Sequence, residues 1–265
     1  MKCSCVKQKP VSSPLYTENL VIGYGGVPLC SCRDLLLDRG RVIALLGKNG
    51  TGKSTLIRTL TGDLHPVSGH VLLEGRELHQ YTVRERAKMI ALVSTSTGMS
   101  GGLTVEELVG LGRHPHIGWM GRLSDSDRHI VSNAMEDVGI SFKKDSFVAD
   151  LSDGERQKAL IARAIAQQCP VIVMDEPFSY LDVSARIEIL SLLKKIARER
   201  EAAILFSTHD VAQALRMADY IWMYYPDRRM VCGSPSEIVR NGEINCLFDN
   251  HSVVFSPEKD DFIEA

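Results

Sequence analysis

Gly47-Lys48-Asn49-Gly50-Thr51-Gly52-Lys53-Ser54 is the stretch on which the reading of this chain turns. It fits G-x-x-x-x-G-K-[ST] at every fixed position. It also lies between Val42-Ile43-Ala44-Leu45-Leu46, an apolar run suited to a buried parallel strand, and Thr55-Leu56-Ile57-Arg58-Thr59-Leu60, which has a helical pattern. A chain of phosphates needs many donors and close backbone approach. Gly47, Gly50 and Gly52 let the loop fold tightly with its N–H groups turned inward, and a helix opening near Lys53 adds the positive end of its dipole. Lys53 then reaches the β/γ-phosphates, and the Ser54 hydroxyl takes a Mg²⁺ position. The competing reading, a glycine-rich turn without a ligand, does not account for a strand before it and a helix after it.

The 265 residues are 44% hydrophobic and 24% charged, enough to bury a sizeable core as one large α/β domain or a domain with a subdomain. A formal net charge of −2 and the lack of a long basic tract argue against nucleic acid or an anionic membrane surface as the main partner. The apolar runs are short, none near the roughly 18 residues that span a bilayer, so any membrane role is expected to be peripheral. Met1-Lys2-Cys3-Ser4-Cys5-Val6-Lys7 lacks an apolar signal core, which predicts a cytosolic protein. Cysteines stand at 3, 5, 30, 32, 169, 232 and 246; the C-x-C pairs do not match zinc spacing, and reduced, unrelated thiols are expected.

Residues 1–15 read as a loose arm broken by Pro10 and Pro14. Leu20-Val21-Ile22 reads as a strand, and the turn Gly23-Tyr24-Gly25-Gly26 carries an aromatic that is either a plain hairpin residue or a stacking surface for a base. Gly62 is the expected C-cap of the helix after the loop, with Pro66 barring continuation. Strands are expected at Val71–Gly75, Ile90–Val93, Val171–Met174, Ala203–Phe206 and Tyr220–Met223, the last two each after a helical stretch. Helices are expected at Thr104–Gly112, Ser124–Val138 and Ser152–Gln168, and the region after Ser94 reads as a helical insert. Alternating strands and helices predict a mainly parallel sheet.

Two further stretches carry chemistry. Val171-Ile172-Val173-Met174 ends in Asp175-Glu176, which puts two carboxylates at the edge where ligands of parallel sheets gather. Asp175 is expected to hold Mg²⁺ and Glu176 to act as general base on a water. Leu151-Ser152-Asp153-Gly154-Glu155 opens a helix with a capping-box pattern, and that same helix start is also an anion site; position alone leaves both readings open.

Taken together, these stretches make the chain resemble the ATP-binding-cassette (ABC) ATPases. GKNGTGKS is similar to their Walker A, VIVMDEP to their Walker B with its glutamate, and LSDGE to their signature. Ser179-Tyr180-Leu181-Asp182 looks like their D-loop and Ser207-Thr208-His209-Asp210 like their switch histidine, and the resemblance runs from about Leu20 to Ser236. It implies a P-loop NTPase core of α/β class with a mainly parallel sheet and an N-terminal antiparallel β part. A single ABC domain over 16–242 carries a helical subdomain inserted at about 96–165, and a tail occupies 243–265. It implies ATP and Mg²⁺ as ligands, with Asn49 and Thr55 joining the glycines, Lys53 and Ser54 around the nucleotide. Tyr24 would stack on adenine, and His209 would contact the γ-phosphate. It further implies a homodimer that sandwiches two ATP molecules, each P-loop facing the partner's Ser152 and Gly154. The dimer would work on two copies of a polytopic permease at the cytoplasmic face of the inner membrane, with a periplasmic substrate-binding protein in the full complex. Gly112-Arg113-His114-Pro115-His116 and Trp119 look most like the ATPase subunits of bacterial importers of siderophores, haem and cobalamin, although Arg113-His114-Pro115 also reads as a helix end.

Three positions depart from the family pattern. Thr95 stands where a metal-contacting glutamine is usual, and its shorter side chain would reach Mg²⁺ only through loop movement or a water. Asp153 and Glu155 replace a glycine and a glutamine of the signature. Two carboxylates at a phosphate-facing helix start repel ATP unless they turn away, so Asp153 is expected to face solvent or the membrane partner and Glu155 to fold back onto its own backbone. The alternatives are a soluble cassette ATPase working on nucleic acid or ribosomes, an importer of another substrate class, and a nucleotide sensor that scarcely hydrolyses ATP. The absence of long coiled coils or a second cassette argues against the first, and Glu176 and His209 argue against the last.

Overall fold

The computed structural model describes residues 13–94, 102–118, 121–247, 253–256 and 261–264. They run β1 (Leu15–Tyr24), β2 (Val27–Arg33), β3 (Leu36–Leu37), β4 (Val42–Gly47), α1 (Lys53–Leu60), β5 (Ser68–Leu73), β6 (Arg76–Glu77), α2 (Val83–Met89), β7 (Ile90–Ser94), α3 (Val105–Gly110), α4 (Asp125–Asp137) and α5 (Asp153–Gln167). There follow β8 (Val171–Asp175), α6 (Val183–Arg200), β9 (Ala203–Thr208), α7 (Val211–Met217), β10 (Tyr220–Tyr224), β11 (Met230–Gly233), α8 (Pro235–Arg240), β12 (Val253–Ser256) and β13 (Asp261–Glu264). The chain divides into two compact units, one within residues 1–80 and 203–265 and the other within 81–202.

In the first unit β4 lies between β9 and β10, parallel to both, and β11 closes the β10 edge antiparallel. A strand flanked on both edges and covered on both faces has no solvent side, which is why all six residues of β4 are buried and why it reads as an unbroken apolar run. Gly52, in the left-handed region at φ 112°, turns the chain out of the loop into α1. Leu56, Ile57 and Leu60 face inward from that helix, each contributing about 1.5–3 kcal/mol. Thr61 ends it, and Gly62 follows at φ 79°, the left-handed stop that the sequence signals.

The antiparallel part has the order β2-β1-β5-β6, with β3 also pairing β1. β1 begins at Leu15, the last residue of the expected arm, where the side chain is fully buried and paired with Leu37 and Leu73.

In the second unit β7 and β8 pair in parallel, from Ile90 opposite Val171 to Ser94 opposite Asp175. Around them are α2, α3, α4, α5 and α6; Thr82, Thr104, Ser124 and Ser152 each start a helix with a complete capping box. The unit is thus wider than the expected helical insert, since it also carries β7, β8 and α6. α5 buries Leu160, Ile161 and Ile165 along one face, with Ala159, Ala162 and Ala166 where neighbours come close. Among the described residues no helix is long and apolar enough to cross a membrane.

Candidate functional site

The glycine loop is shaped by its backbone. Gly50 and Gly52 are left-handed, at φ 80° and 112°. A methyl group at Gly47 would lie 2.7 Å from the Tyr224 carbonyl oxygen, and one at Gly52 would lie 2.8 Å from Leu29 Cδ2 and 3.1 Å from the Tyr224 hydroxyl. Both conformation and space therefore demand glycine at 52. The Lys53 side chain is 5% exposed, and its ammonium folds back across the loop, donating to the Gly47 carbonyl at 2.8 Å, the Lys48 carbonyl at 3.1 Å and Asn49 Oδ1 at 3.5 Å. Thr51 Oγ1 donates to the Lys48 carbonyl at 2.9 Å and braces the turn. Ser54, next in line, is exposed.

Two more expected residues of the first unit meet this loop's strand and helix. Tyr24 ends β1, is half exposed, and its hydroxyl lies 3.0 Å from the buried Thr55 Oγ1. The parallel register sets Thr208 opposite Leu46, so His209 follows the end of β9 at the edge where Gly47 follows Leu46. His209 is exposed, while Thr208 Oγ1 donates to Gln213 Oε1 at 2.8 Å and accepts from the Asp210 N–H at 3.0 Å, which pins the turn on either side of it.

In the second unit Asp175 closes β8 and Glu176 follows it, both half-buried. Glu176 is left-handed at φ 47°, a conformation that costs a non-glycine residue about 1–2 kcal/mol and re-aims its side chain off the strand. Ser179 Oγ donates to the Glu176 carbonyl at 3.2 Å and to its Oε2 at 3.4 Å, which ties the D-loop-like turn to that carboxylate. Thr95, one residue beyond Ser94 and expected near the metal, lies outside the described residues, as do Trp119, Cys3 and Cys5.

The Ser152 turn is a closed capping box. Its N–H donates to Glu155 Oε2 at 2.9 Å and its hydroxyl to the same oxygen at 3.0 Å, while the Glu155 N–H donates to Ser152 Oγ at 3.3 Å. Glu155 Oε1 also lies 3.3 Å from Lys143 Nζ. The Ser152 N–H first, then the Ser152 hydroxyl and Lys143, hold the Glu155 carboxyl below the ordinary range. Asp153 points outward, 65% exposed, with Arg156 Nη1 2.9 Å from its Oδ1. A methyl group at Gly154 would approach the Tyr180 carbonyl oxygen to 3.3 Å, so the signature-like turn and the D-loop-like turn run side by side.

Arg113 is not merely a residue at a helix end. It is 6% exposed and donates to Asp127 Oδ1 at 2.9 Å, the Ala166 carbonyl at 2.8 Å and Gln168 Oε1 at 3.1 Å, joining the start of α4 to the end of α5. Gly112 allows this approach, since a methyl group there would lie 2.3 Å from the Arg163 carbonyl oxygen. Nothing local in the sequence marks Arg113 as buried; the acid at 127 inside the Ser124 capping box is the nearest signal. Cys30 and Cys32 are not unrelated either. They share one buried face of β2, and a hydrogen bond from Cys32 first of all lowers the Cys30 thiol to about 7. Among the described residues no group of three or more His, Cys, Asp or Glu is placed to hold a metal ion.

A family model described as ABC transporter matches residues 33–179. The ferric enterobactin transport ATP-binding protein of Escherichia coli is 36% identical over 222 residues, covering 84% of this chain and 82% of that protein. The hemin import ATP-binding protein of Rhodopseudomonas palustris is 36% identical over 259 residues, covering 94% of this chain and 93% of that protein. Among solved structures, a chain of an ABC transporter in an inward-facing conformation matches with a TM-score of 0.78 and 26% identity, covering 96% of this chain and 98% of that one. With more than half its length inside the family model and relatives aligned along nearly all of it, the chain belongs to the ABC transporter family.

Proposed function

We propose that this protein is the ATP-binding and ATP-hydrolysing subunit of an importer that takes up an iron chelate, either a siderophore or haem, or cobalamin. The observation that carries this reading is the alignment, along 84% and 94% of the chain, with ATP-binding subunits named for ferric enterobactin transport and hemin import.

The loop's chemistry suits a triphosphate. Gly50 and Gly52 are left-handed, the backbone shape that anion-binding loops use, and an ammonium is held against the loop. Lys53 is assigned to the β- and γ-phosphates, with Gly47, Asn49, Gly50, Gly52 and Thr55 lining the same ligand and Tyr24 presenting its half-exposed ring to adenine. The Ser54 hydroxyl and the Asp175 carboxylate are the hard oxygen donors that Mg²⁺ takes alongside phosphates and water. Held by them, Mg²⁺ would supply positive charge against the charge that develops on the transferred phosphoryl group. Glu176 is the general base, accepting a proton from the attacking water, and His209 orients that water through the γ-phosphate. Lys53 stabilises the phosphate charge as it shifts toward the leaving group.

A second copy of the chain would complete each site, with its Ser152 and Gly154 supplying a hydroxyl and helix-start N–H groups to the γ-phosphate. Closing and opening of that ATP sandwich would move two copies of a polytopic permease docked near residues 95–112, fed by a periplasmic binding protein. The subunit would then sit peripherally at the cytoplasmic face of the inner membrane.

The test is uptake. The protein and the membrane subunit that co-purifies with it are reconstituted in vesicles that enclose Mg-ATP. Radiolabelled ferric siderophore, haem or cobalamin is presented outside with the cognate binding protein. ATP-dependent accumulation of one of the three, abolished by Glu176→Gln, is expected; accumulation that persists in Glu176→Gln, or none for all three, overturns the reading.

A further inference from the structure

Glu155 sits in the first turn of α5, where a negative charge favours the helix but opposes a phosphate brought to the same end. Both oxygens of its carboxylate are engaged. Oε2 takes the Ser152 N–H at 2.9 Å and the Ser152 hydroxyl at 3.0 Å, and Oε1 takes Lys143 Nζ at 3.3 Å. Lys143 comes from the 3₁₀ turn Ser141–Lys143, twelve residues up the chain, and both side chains are partly shielded, 33% exposed for Lys143 and 25% for Glu155. The neighbouring pair is different in kind. Asp153 and Arg156 are 65% and 38% exposed, close enough to solvent for water and salt to screen most of their attraction.

We infer that Lys143 is a positioning residue for nucleotide engagement: it holds and neutralises Glu155 so that the Ser152 hydroxyl and the N–H groups opening α5 can receive a phosphate. This rests on the reading that the Ser152 turn faces the nucleotide of a second copy. Ser152 must exchange one acceptor for another when a phosphate arrives, because its single proton is directed at Glu155 Oε2. With Lys143 present, that exchange leaves behind a carboxylate that still has a cationic partner. Without it, a carboxylate with no cationic partner lies in the same helical turn as the incoming phosphate, and like charges repel in a partly shielded site. A glutamine at 155 would keep the cap and carry no charge, so it would have no use for Lys143.

The logic is a double-mutant cycle. In the Glu176→Gln background, where hydrolysis does not deplete the nucleotide, the dimer dissociation constant in Mg-ATP is measured by sedimentation for the parent, Lys143→Met, Glu155→Gln and the Lys143→Met/Glu155→Gln double variant. Lys143→Arg is included as the conservative rescue, and thermal unfolding of each monomer serves as the folding control. Lys143→Met is expected to weaken the ATP dimer about tenfold. Lys143→Arg is expected to restore it, and the double variant to match Glu155→Gln. A tenfold loss on Lys143→Met that persists in the Glu155→Gln background, or no loss in either, overturns the inference alone. A parent that forms no dimer in Mg-ATP overturns the sandwich reading together with the inference.

Discussion

The glycine loop of the first unit and the Ser152 turn of the second are both helix starts assigned to phosphate, yet their sequences obey different rules. The loop keeps every fixed position of its pattern, because its requirements lie in the backbone: Gly52 is at φ 112° with Leu29 and Tyr224 pressed against it. No side chain elsewhere can compensate for a methyl group there. The Ser152 turn has accepted two carboxylates, because its requirements are a cap and a tolerable charge. Glu155 completes the capping box that Ser152 begins, Lys143 balances its charge, and Asp153 turns out to solvent against Arg156. A site that depends on backbone shape resists substitution; one that depends on charge and capping admits it when a partner is near.

The first break is at Glu176, the carboxylate assigned above as general base. Glu176→Gln is expected to lower kcat for phosphate release by 10²- to 10⁴-fold, while the protein still forms a dimer in Mg-ATP by size-exclusion chromatography. A variant that remains monomeric contradicts the sandwich. Next is Gly52→Ala, which sharpens the backbone half of the contrast. It is expected to cost about 1–3 kcal/mol of stability in denaturant titration and to weaken ATP binding by at least tenfold, with no second-site charge change restoring it.

The buried ion pair of the second unit comes next, as a charge that is not free to vary. Arg113→Met leaves Asp127 without its cation, and a loss of about 3 kcal/mol is expected, read as a fall in the chemical-denaturation midpoint. The same carboxyl predicts a pH dependence. The Ser124 hydroxyl first, and Arg113 after it, hold Asp127 at about 2, below its ordinary 3.8. A carboxyl whose pKa is lower in the folded protein binds fewer protons there than in the unfolded chain. Its contribution, about 2 kcal/mol, is therefore present above pH 4 and lost as the pH falls from about 4 to 2. Asp127→Asn should flatten that part of the stability curve. The smallest expected effect is Asp153→Gly, which should change the KM for ATP by less than tenfold in the isolated protein, since its side chain is exposed and paired outward.

Much of this was legible in the sequence wherever the cause is local. Val42–Leu46 had to be a central strand, and the glycines had to make the turn that follows it, because hydrophobic run length and backbone freedom act over a few residues. The Ser152–Glu155 cap and the end of α1 at Thr61–Gly62 are local in the same sense. What the sequence did not reveal is carried by residues far apart along the chain. Lys143 reaches Glu155 across twelve positions, and Arg113 reaches Asp127, Ala166 and Gln168. Leu15 looked like part of an arm because Pro14 precedes it, but pairing with Leu37 and Leu73 makes it a core strand residue. The edge strands β2 and β11 carry mixed residues, because among the described residues only one edge of each is paired and one face alone need be apolar.

The most direct test of the account is to isolate the tagged protein from its native membranes in mild detergent and identify by mass spectrometry what co-purifies near stoichiometry. The account predicts a polytopic membrane protein at a one-to-one ratio, together with ATP hydrolysis that Glu176→Gln abolishes. Ribosomal proteins or DNA in its place would contradict the importer reading and leave the glycine loop to serve a soluble ATPase.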